Sequence, residues 1–327
     1  MTDTTVRIVG VDHDAAFWDD TAELRACLTE PVPRIPPWFG YDERGSALFE
    51  QITELPTYYL TRTEWSLLRR YGPDIAARLG CGRIAELGSG SAKKTRLLLR
   101  AAVARRPTTY LPVDVSREML TSSAEALRTS IPSLDVVGLW GRYEAGLDHL
   151  RADDDGEPLA VMFLGGNLGN TTPDERHALL ARCAASLRPG DAFLVSADLV
   201  KPAAVFEECY NDPPEHTAFA DFRLNHLVHL INRFGCDADP ASFRPHARYD
   251  TATGEVVGHL WSERDQHVSI PGLDLELDLR SGDGINVGFS AKFDRERFVA
   301  DVAAHGLAPE AQWVDPERQY GIFLFRR

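Results

Sequence analysis

From Arg83 to Leu199, short apolar runs alternate with helical stretches of ten or more residues: RIAEL, KKTRLLLRAAVARR, TYLPVDV, EMLTSSAEALRTS, LDVVGLWG, LAVMFLG, PDERHALLARCAASL and DAFLVSADL. Strands of this length separated by helices predict a parallel sheet with right-handed crossovers, and so an α/β fold. Near Val200 the rhythm ends. Residues 202–235 read as helix with a proline break, and Glu255 to Leu279 alternates like antiparallel strands (EVVGHLWSE, HVSI, LDLELDL). The C-terminal segment resumes the earlier style, with a helix opening at Asp294 and two strands joined by a turn in AQWVDPERQYGIFLFRR. Upstream, the helical periodicity of FWDDTAELRACLTE stops at the proline-rich PVPRIPPWFGYDERGS, and another helix begins near Ser46. The expected division is residues 61–199 with 287–327 as the sheet domain, and residues 1–60 with 200–286 as a second, discontinuous lobe.

Bulk properties narrow the function. A chain of 327 residues with 44% hydrophobic and 26% charged side chains has the composition of a soluble globular protein. Its net charge of −14, from 49 acidic against 35 basic residues, repels polyanions, so a small-molecule substrate is expected and a nucleic-acid partner is not. The five cysteines (Cys27, Cys81, Cys183, Cys209, Cys236) are scattered and never form C-x-x-C, which fits free thiols in a reducing compartment. No apolar run approaches the roughly 20 residues that cross a bilayer, and MTDTTVRIVG lacks the pattern of a signal peptide. A cytoplasmic monomer without a membrane partner is expected. His226 and His229 lie three apart on the helical stretch RLNHLVHLINRF, but no carboxylate pattern completes a metal site and none is expected. The acidic run ADDDGE (152–157) reads as a solvated loop.

The turn at ELGSGSAKKT (86–95) carries the chemistry. As a P-loop it matches at Gly88, Lys94 and Thr95 but has Lys93 where the second glycine wraps phosphate, and AVMFLGGN lacks the magnesium-binding aspartate. As a dinucleotide fingerprint it keeps Gly88 and Gly90 and loses the third glycine, again to Lys93. S-Adenosylmethionine (SAM) is the third reading. Gly88, Ser89 and Gly90 close the backbone on the methionine portion, and Asp114, 24 positions after Gly90 at the end of the next strand, takes the ribose hydroxyls. Lys94 can neutralise the cofactor's carboxylate. The terminal hairpin agrees, since an antiparallel last strand inserted in a parallel sheet is characteristic of SAM-dependent methyltransferases.

With these residues assembled, the chain resembles the histidine-specific SAM-dependent methyltransferase family over almost its whole length. The carriers are YDERGSALFEQITELPTYYLTRTE (41–64), ELGSGSAKKTRLLL (86–99), FLGGNLGN (163–170), CYND (209–212) and SAKF (290–293). The resemblance implies a Rossmann-like SAM-dependent methyltransferase sheet with a discontinuous α+β substrate lobe, SAM as cofactor, and transfer to the α-amino group of a free amino acid. It implies that Gly88, Lys94 and Asp114 hold the cofactor, with Arg142 and Tyr143 of GRYE flanking adenine. Asn170 and Tyr210 match positions that grip the α-carboxylate, Tyr41 one beside the amine, and Tyr58 one that faces the side chain. Tyr41 and Tyr210 would orient the amine during transfer. Taken singly, Tyr58 also reads as a packing residue and Asn170 as a helix cap or turn former before TTPDER.

The departure from the family lies just before SAKF. Members that take histidine have a glutamate two positions ahead of Ser290, pairing with the imidazole; here Gly288 stands there, followed by Phe289. A buried imidazole N–H without its partner loses roughly 1–3 kcal/mol. The expectation is therefore an aromatic amino acid, tryptophan first. Asn286 or Asp283 can restore a polar contact, which keeps histidine as the alternative. A SAM-binding protein without catalytic activity is the reading from another class.

Overall fold

A computed structural model describes residues 6–12, 21–153 and 156–327. In chain order the first part holds β1 (Arg7–Gly10), α1 (Thr21–Leu28), α2 (Glu43–Glu54), α3 (Tyr59–Leu79), β2 (Arg83–Leu87), α4 (Thr95–Val103), β3 (Thr108–Asp114) and α5 (Arg117–Ser130). There follow β4 (Leu134–Trp140), α6 (Tyr143–Ala152), β5 (Leu159–Phe163), α7 (Pro173–Ser186), β6 (Ala192–Asp198), α8 (Ala203–Cys209), α9 (Ala218–Phe234), β7 (Phe243–Asp250) and β8 (Glu255–Ser262). The chain ends with β9 (Gln266–Ile270), β10 (Leu275–Leu279), β11 (Gly284–Ala291), α10 (Arg295–Ala303), β12 (Ala308–Asp315) and β13 (Tyr320–Arg326). It divides into two compact units, the first within residues 1–17, 60–200 and 292–327, the second within 18–59 and 201–291.

The first unit is built on an eight-stranded sheet of order β1-β4-β3-β2-β5-β6-β13-β12. Strands β1 to β6 are parallel, and β13 lies antiparallel to both β6 and β12. Its central strands β2 and β5 are buried at every position, which explains why RIAEL and LAVMF run together apolar residues without alternation. Leu87, Val113, Leu139, Phe163, Val195 and Phe323 meet in its core. The winding reverses between β2 and β5, and at such a switch point the loops leaving the strand ends leave room for a ligand. Gly88 to Gly90 leave β2 there, and Gly165 and Gly166 follow β5.

The second unit packs α9 with a three-stranded antiparallel sheet of order β11-β8-β7 and the β9–β10 hairpin. Strand β8 alternates strictly between half-buried and buried positions, the period expected of a sheet with one face on a core. Helix α9 stops at Gly235, which takes the left-handed conformation that ends helices without steric cost.

Two boundaries differ from the sequence reading. Residues 7–10 were expected in the second lobe, but β1 pairs in parallel with β4 at the edge of the large sheet, because Ile8 and Val9 extend its apolar surface. Val287 to Ala291 were expected with the large sheet and belong to β11, which pairs with β8. The expected helix from Phe17 is α1 from Thr21 onward; Phe17 to Asp20 lie outside the described residues, as do Asp154 and Asp155 of the acidic loop.

Among the described residues, no helix is long and apolar enough to cross a membrane. All five cysteines are buried and free.

Candidate functional site

In the first unit the turn after β2 is shaped by Gly88 (φ +68°) and Gly90 (φ +50°), a backbone conformation that side chains disfavour. Gly88 N–H donates to the Val113 carbonyl at 2.8 Å and Gly90 N–H to Asp114 Oδ2 at 2.9 Å. Asp114 Oδ1 also accepts the Ser116 amide at 3.0 Å, so one carboxylate braces the loops leaving β2 and β3. Burial pushes the Asp114 carboxyl above its ordinary value, against the backbone hydrogen bonds of Ser116, Gly90 and Val115. A β-carbon on Gly88 would stand 2.8 Å from Tyr143 Oη and 3.2 Å from Asn167 Nδ2, whereas one on Gly90 would meet nothing within 4 Å. The turn therefore passes tightly beneath Tyr143 and is open at Gly90. Ser89 Oγ is buried and has no hydrogen-bond partner among the described residues.

Arg142 is held by Asp12, Nε to Oδ2 at 2.9 Å, and Tyr143 packs edge-on to Phe163 with ring centroids 5.1 Å apart. Lys94 does not stand ready for a cofactor carboxylate. Its ammonium pairs with Glu64, which is fully buried and also accepts Gly165 N–H and Tyr320 Oη, both at 2.8 Å. Burial pushes the Glu64 carboxyl up, but Lys94, Ser196 and Gly165 outweigh it and hold it below its ordinary value. The reason is electrostatic: a carboxylate removed from water needs a counter-charge, and Lys94 supplies it. Glu86, in the same motif, accepts hydrogen bonds from Tyr110 and Thr95, and burial raises its carboxyl to about 7.

Asn170 closes a short 3-10 turn (Asn167–Asn170) after β5, in the first unit. It is not the cap of α7. That role falls to Thr172, which exchanges hydrogen bonds with Glu175 in a capping box.

The other expected substrate residues lie in the second unit, where tertiary packing joins them. Tyr41 contacts Phe222 and Phe49 (centroids 5.1 and 5.5 Å), Phe49 contacts Tyr58 (6.4 Å), and Tyr58 contacts Tyr210 and Phe219 (6.1 and 5.8 Å). Tyr210 Oη donates to Ser290 Oγ at 3.0 Å. Gly288 sits at a β-bulge between Asn286 and Phe289 with φ +138°, and a β-carbon there would meet nothing within 4 Å. Its missing side chain is thus accompanied by a backbone that an ordinary residue strains to adopt. Asn286 Oδ1 accepts Gly288 N–H at 2.8 Å and Asp283 Oδ2 accepts Arg280 N–H at 2.9 Å, so both acceptors expected to reach an imidazole bond local backbone.

The histidines of α9 are packed core groups. His229 stacks on Phe39 at 4.2 Å and its Nδ1 lies 2.8 Å from the Phe39 carbonyl, while burial lowers His226 to about 4 and keeps it neutral. Among the described residues no cluster of ligating side chains could hold a metal.

With this geometry established, comparison with known proteins decides the family. The profile described as histidine-specific methyltransferase, SAM-dependent, matches residues 20–327. The chain belongs to this family. It is 35% identical over 306 residues to the histidine N-alpha-methyltransferase of Mycolicibacterium smegmatis, spanning 92% of this chain and 93% of that protein. It is 34% identical over 313 residues to the protein of that name in Mycobacterium tuberculosis, spanning 95% and 96% of the two chains. The fungal N-methyltransferase fsqC of Aspergillus fumigatus is 26% identical over 302 residues, 88% of this chain and 78% of its own. The chain is a SAM-dependent N-methyltransferase, and SAM is its methyl donor.

The turn of this methyltransferase fits that donor. Ser89's unpartnered hydroxyl, the open face at Gly90 and the Asp114 carboxylate beside it provide a donor, room and acceptors for a polar ligand carrying vicinal hydroxyls. Sequence reasoning missed Asn167, Glu64 and Glu86 here and Arg223 in the second unit. Only Glu86 left a signal, as an acidic residue between the apolar Ala85 and Leu87 of a strand buried at every position.

Proposed function

We propose that this methyltransferase acts on the α-amino group of a free amino acid. The observation that carries the reading is that Tyr41, Tyr58, Tyr210 and Ser290, distant in sequence, join through one aromatic cluster of the second unit, with Tyr210 hydrogen-bonded to Ser290. When bound, SAM supplies a sulfonium methyl group as the electrophile. The protein's part is to hold a neutral amine in line with it. The amine of a free amino acid is largely protonated at neutral pH, so it must first lose a proton to water, and a hydroxyl acceptor then orients the neutral nitrogen. Within the second unit, Tyr41 and Tyr210 hold the amine and head group and Tyr58 faces the side chain. Gly88, Ser89, Gly90, Asp114 and Tyr143 hold the donor, with Arg142 positioned by Asp12.

Two mycobacterial relatives are named for histidine, which makes histidine one acceptor to be tested. The tryptophan expected from the loss of glutamate is supported only by the open space at Gly288. The test is incubation with SAM and each of the twenty amino acids, followed by mass spectrometry. One amino acid gaining one, two or three methyl groups, with one S-adenosylhomocysteine formed per methyl, is expected. Uptake of SAM with no product from any amino acid overturns the reading.

A further inference from the structure

The second unit contains a buried cation that the reading above does not use. Arg223, on α9, is 6% exposed, and its guanidinium lies 5.0 Å over the Phe219 ring and donates from Nη2 to the Tyr210 carbonyl. Among the described residues no carboxylate forms an ion pair with it. Asp212, whose charge it feels, is committed to α9, accepting the amides of Phe219 and Ala220 at 2.8 Å each. Two other cations are matched by carboxylates, the buried Lys292 by Asp198 at 3.0 Å and the half-buried Lys94 by Glu64. A guanidinium has five N–H donors in a planar fork, and burying it with one partner is costly unless another anion completes it.

Its position says what the anion belongs to. A β-carbon on Gly258 would stand 2.9 Å from Arg223 Nε and 3.4 Å from the Gly288 carbonyl oxygen, so the guanidinium lies on bare backbone of β8 next to Gly288. Space opens at Gly288 itself. The carbonyl that Arg223 does bond is that of Tyr210, whose hydroxyl holds Ser290. Arg223 is thus bonded to Tyr210, one of the residues assigned to the substrate, and lies against Gly258 beside Gly288, two positions without side chains. The local field agrees: after burial, His246 is lowered by Arg223, Arg248 and Arg244, and His259 by Arg223 and Arg248. This is a positive spot in a chain whose net charge is −14.

We propose that Arg223 is the specificity-determining residue of this enzyme and that the acceptor is a dicarboxylic amino acid, aspartate or glutamate, whose side-chain carboxylate pairs with its guanidinium. Bidentate carboxylate pairing matches the fork of arginine, and the amides asparagine and glutamine keep the shape while removing the charge. The assignment rests on the amino-acid reading of the site, and its test separates the two.

With SAM, kcat/KM is measured for aspartate, glutamate, phosphoserine, asparagine, glutamine, histidine and tryptophan. Aspartate or glutamate is expected to exceed its own amide by about thirty- to a hundredfold, the range of a charged hydrogen bond. In Arg223→Gln that ratio falls to near one, and Arg223→Lys, with charge but no fork, lies between. Preference for phosphoserine over both dicarboxylates, or for a neutral or aromatic amino acid, overturns the proposal. So does a loss in Arg223→Gln that is equal for every acceptor, because that marks a head-group or structural role. If the variants do not fold, the acid-to-amide ratio of the wild-type enzyme decides alone. A binding arm is independent of turnover: calorimetry with S-adenosylhomocysteine present should show uptake of aspartate or glutamate and not of its amide. Dicarboxylate binding without methyl transfer sinks the methylation reading and leaves the anion site standing. Methylation of other amino acids without dicarboxylate binding does the reverse.

Discussion

Asp114 accepts the amide of Gly90 at 2.9 Å across 24 residues of chain, tying the loop that leaves β2 to the loop that leaves β3. The glycine turn is therefore preset by the carboxylate that is assigned to the ribose. Replacing Asp114 with Asn keeps one acceptor oxygen and removes the charge. SAM affinity measured by calorimetry should fall about ten- to a hundredfold, the loss expected for charge-assisted hydrogen bonds of about 1.5–3 kcal/mol. An unchanged Kd would take Asp114 out of the cofactor site.

The two glycines of the turn should respond differently. Both have positive φ, so alanine at either costs about 1–2 kcal/mol of backbone strain. At Gly88 the new methyl also meets Tyr143 Oη at 2.8 Å, while at Gly90 it meets nothing within 4 Å. Gly88→Ala should thus lower the melting temperature more than Gly90→Ala. Equal shifts would contradict the close passage beneath Tyr143.

Lys94→Met leaves Glu64 buried without its cation and should destabilise the protein by about 3–5 kcal/mol in denaturant unfolding at neutral pH. Glu64 ionises below the ordinary range of a glutamate in the folded protein, so its contribution is complete above that range and is lost as pH falls through the lowered value. The gap between wild type and variant should narrow below about pH 4.5. A gap of constant size across that range would show that the ion pair contributes nothing.

Tyr210→Phe removes the hydroxyl that holds Ser290 at 3.0 Å but keeps the ring against Tyr58 and Phe219. Loss of one oriented polar group at the amine should lower kcat/KM for the amino acid about tenfold or more and leave the Kd for SAM unchanged. Wild-type kinetics in this variant would return Tyr210 to a packing role.

Much of the first unit was legible because its signals are local. Apolar runs such as LAVMF, the glycines after RIAEL and the aspartate ending TTYLPVD each declare themselves within a few residues, and the terminal hairpin does so through its turn. The edge strand β1 was not legible. Four residues carry too short a pattern to say which sheet they join, and only pairing with β4 settles it. In the substrate unit, Tyr41, Tyr58, Tyr210 and Ser290 were recognised through a resemblance and meet only through contacts between distant segments.

By itself, then, the sequence determined the parallel sheet, the switch-point turn and the acid beside it, because periodicity and turn chemistry act between neighbours along the chain. Tertiary structure alone decided that Lys94 serves Glu64, that Gly288 bends into a left-handed bulge, and that Arg223 is buried on Gly258 with no carboxylate among the described residues paired to it. The physical reason is that the cost of a buried charge depends on what folding brings within a few ångströms of it, and those partners lie tens of residues away.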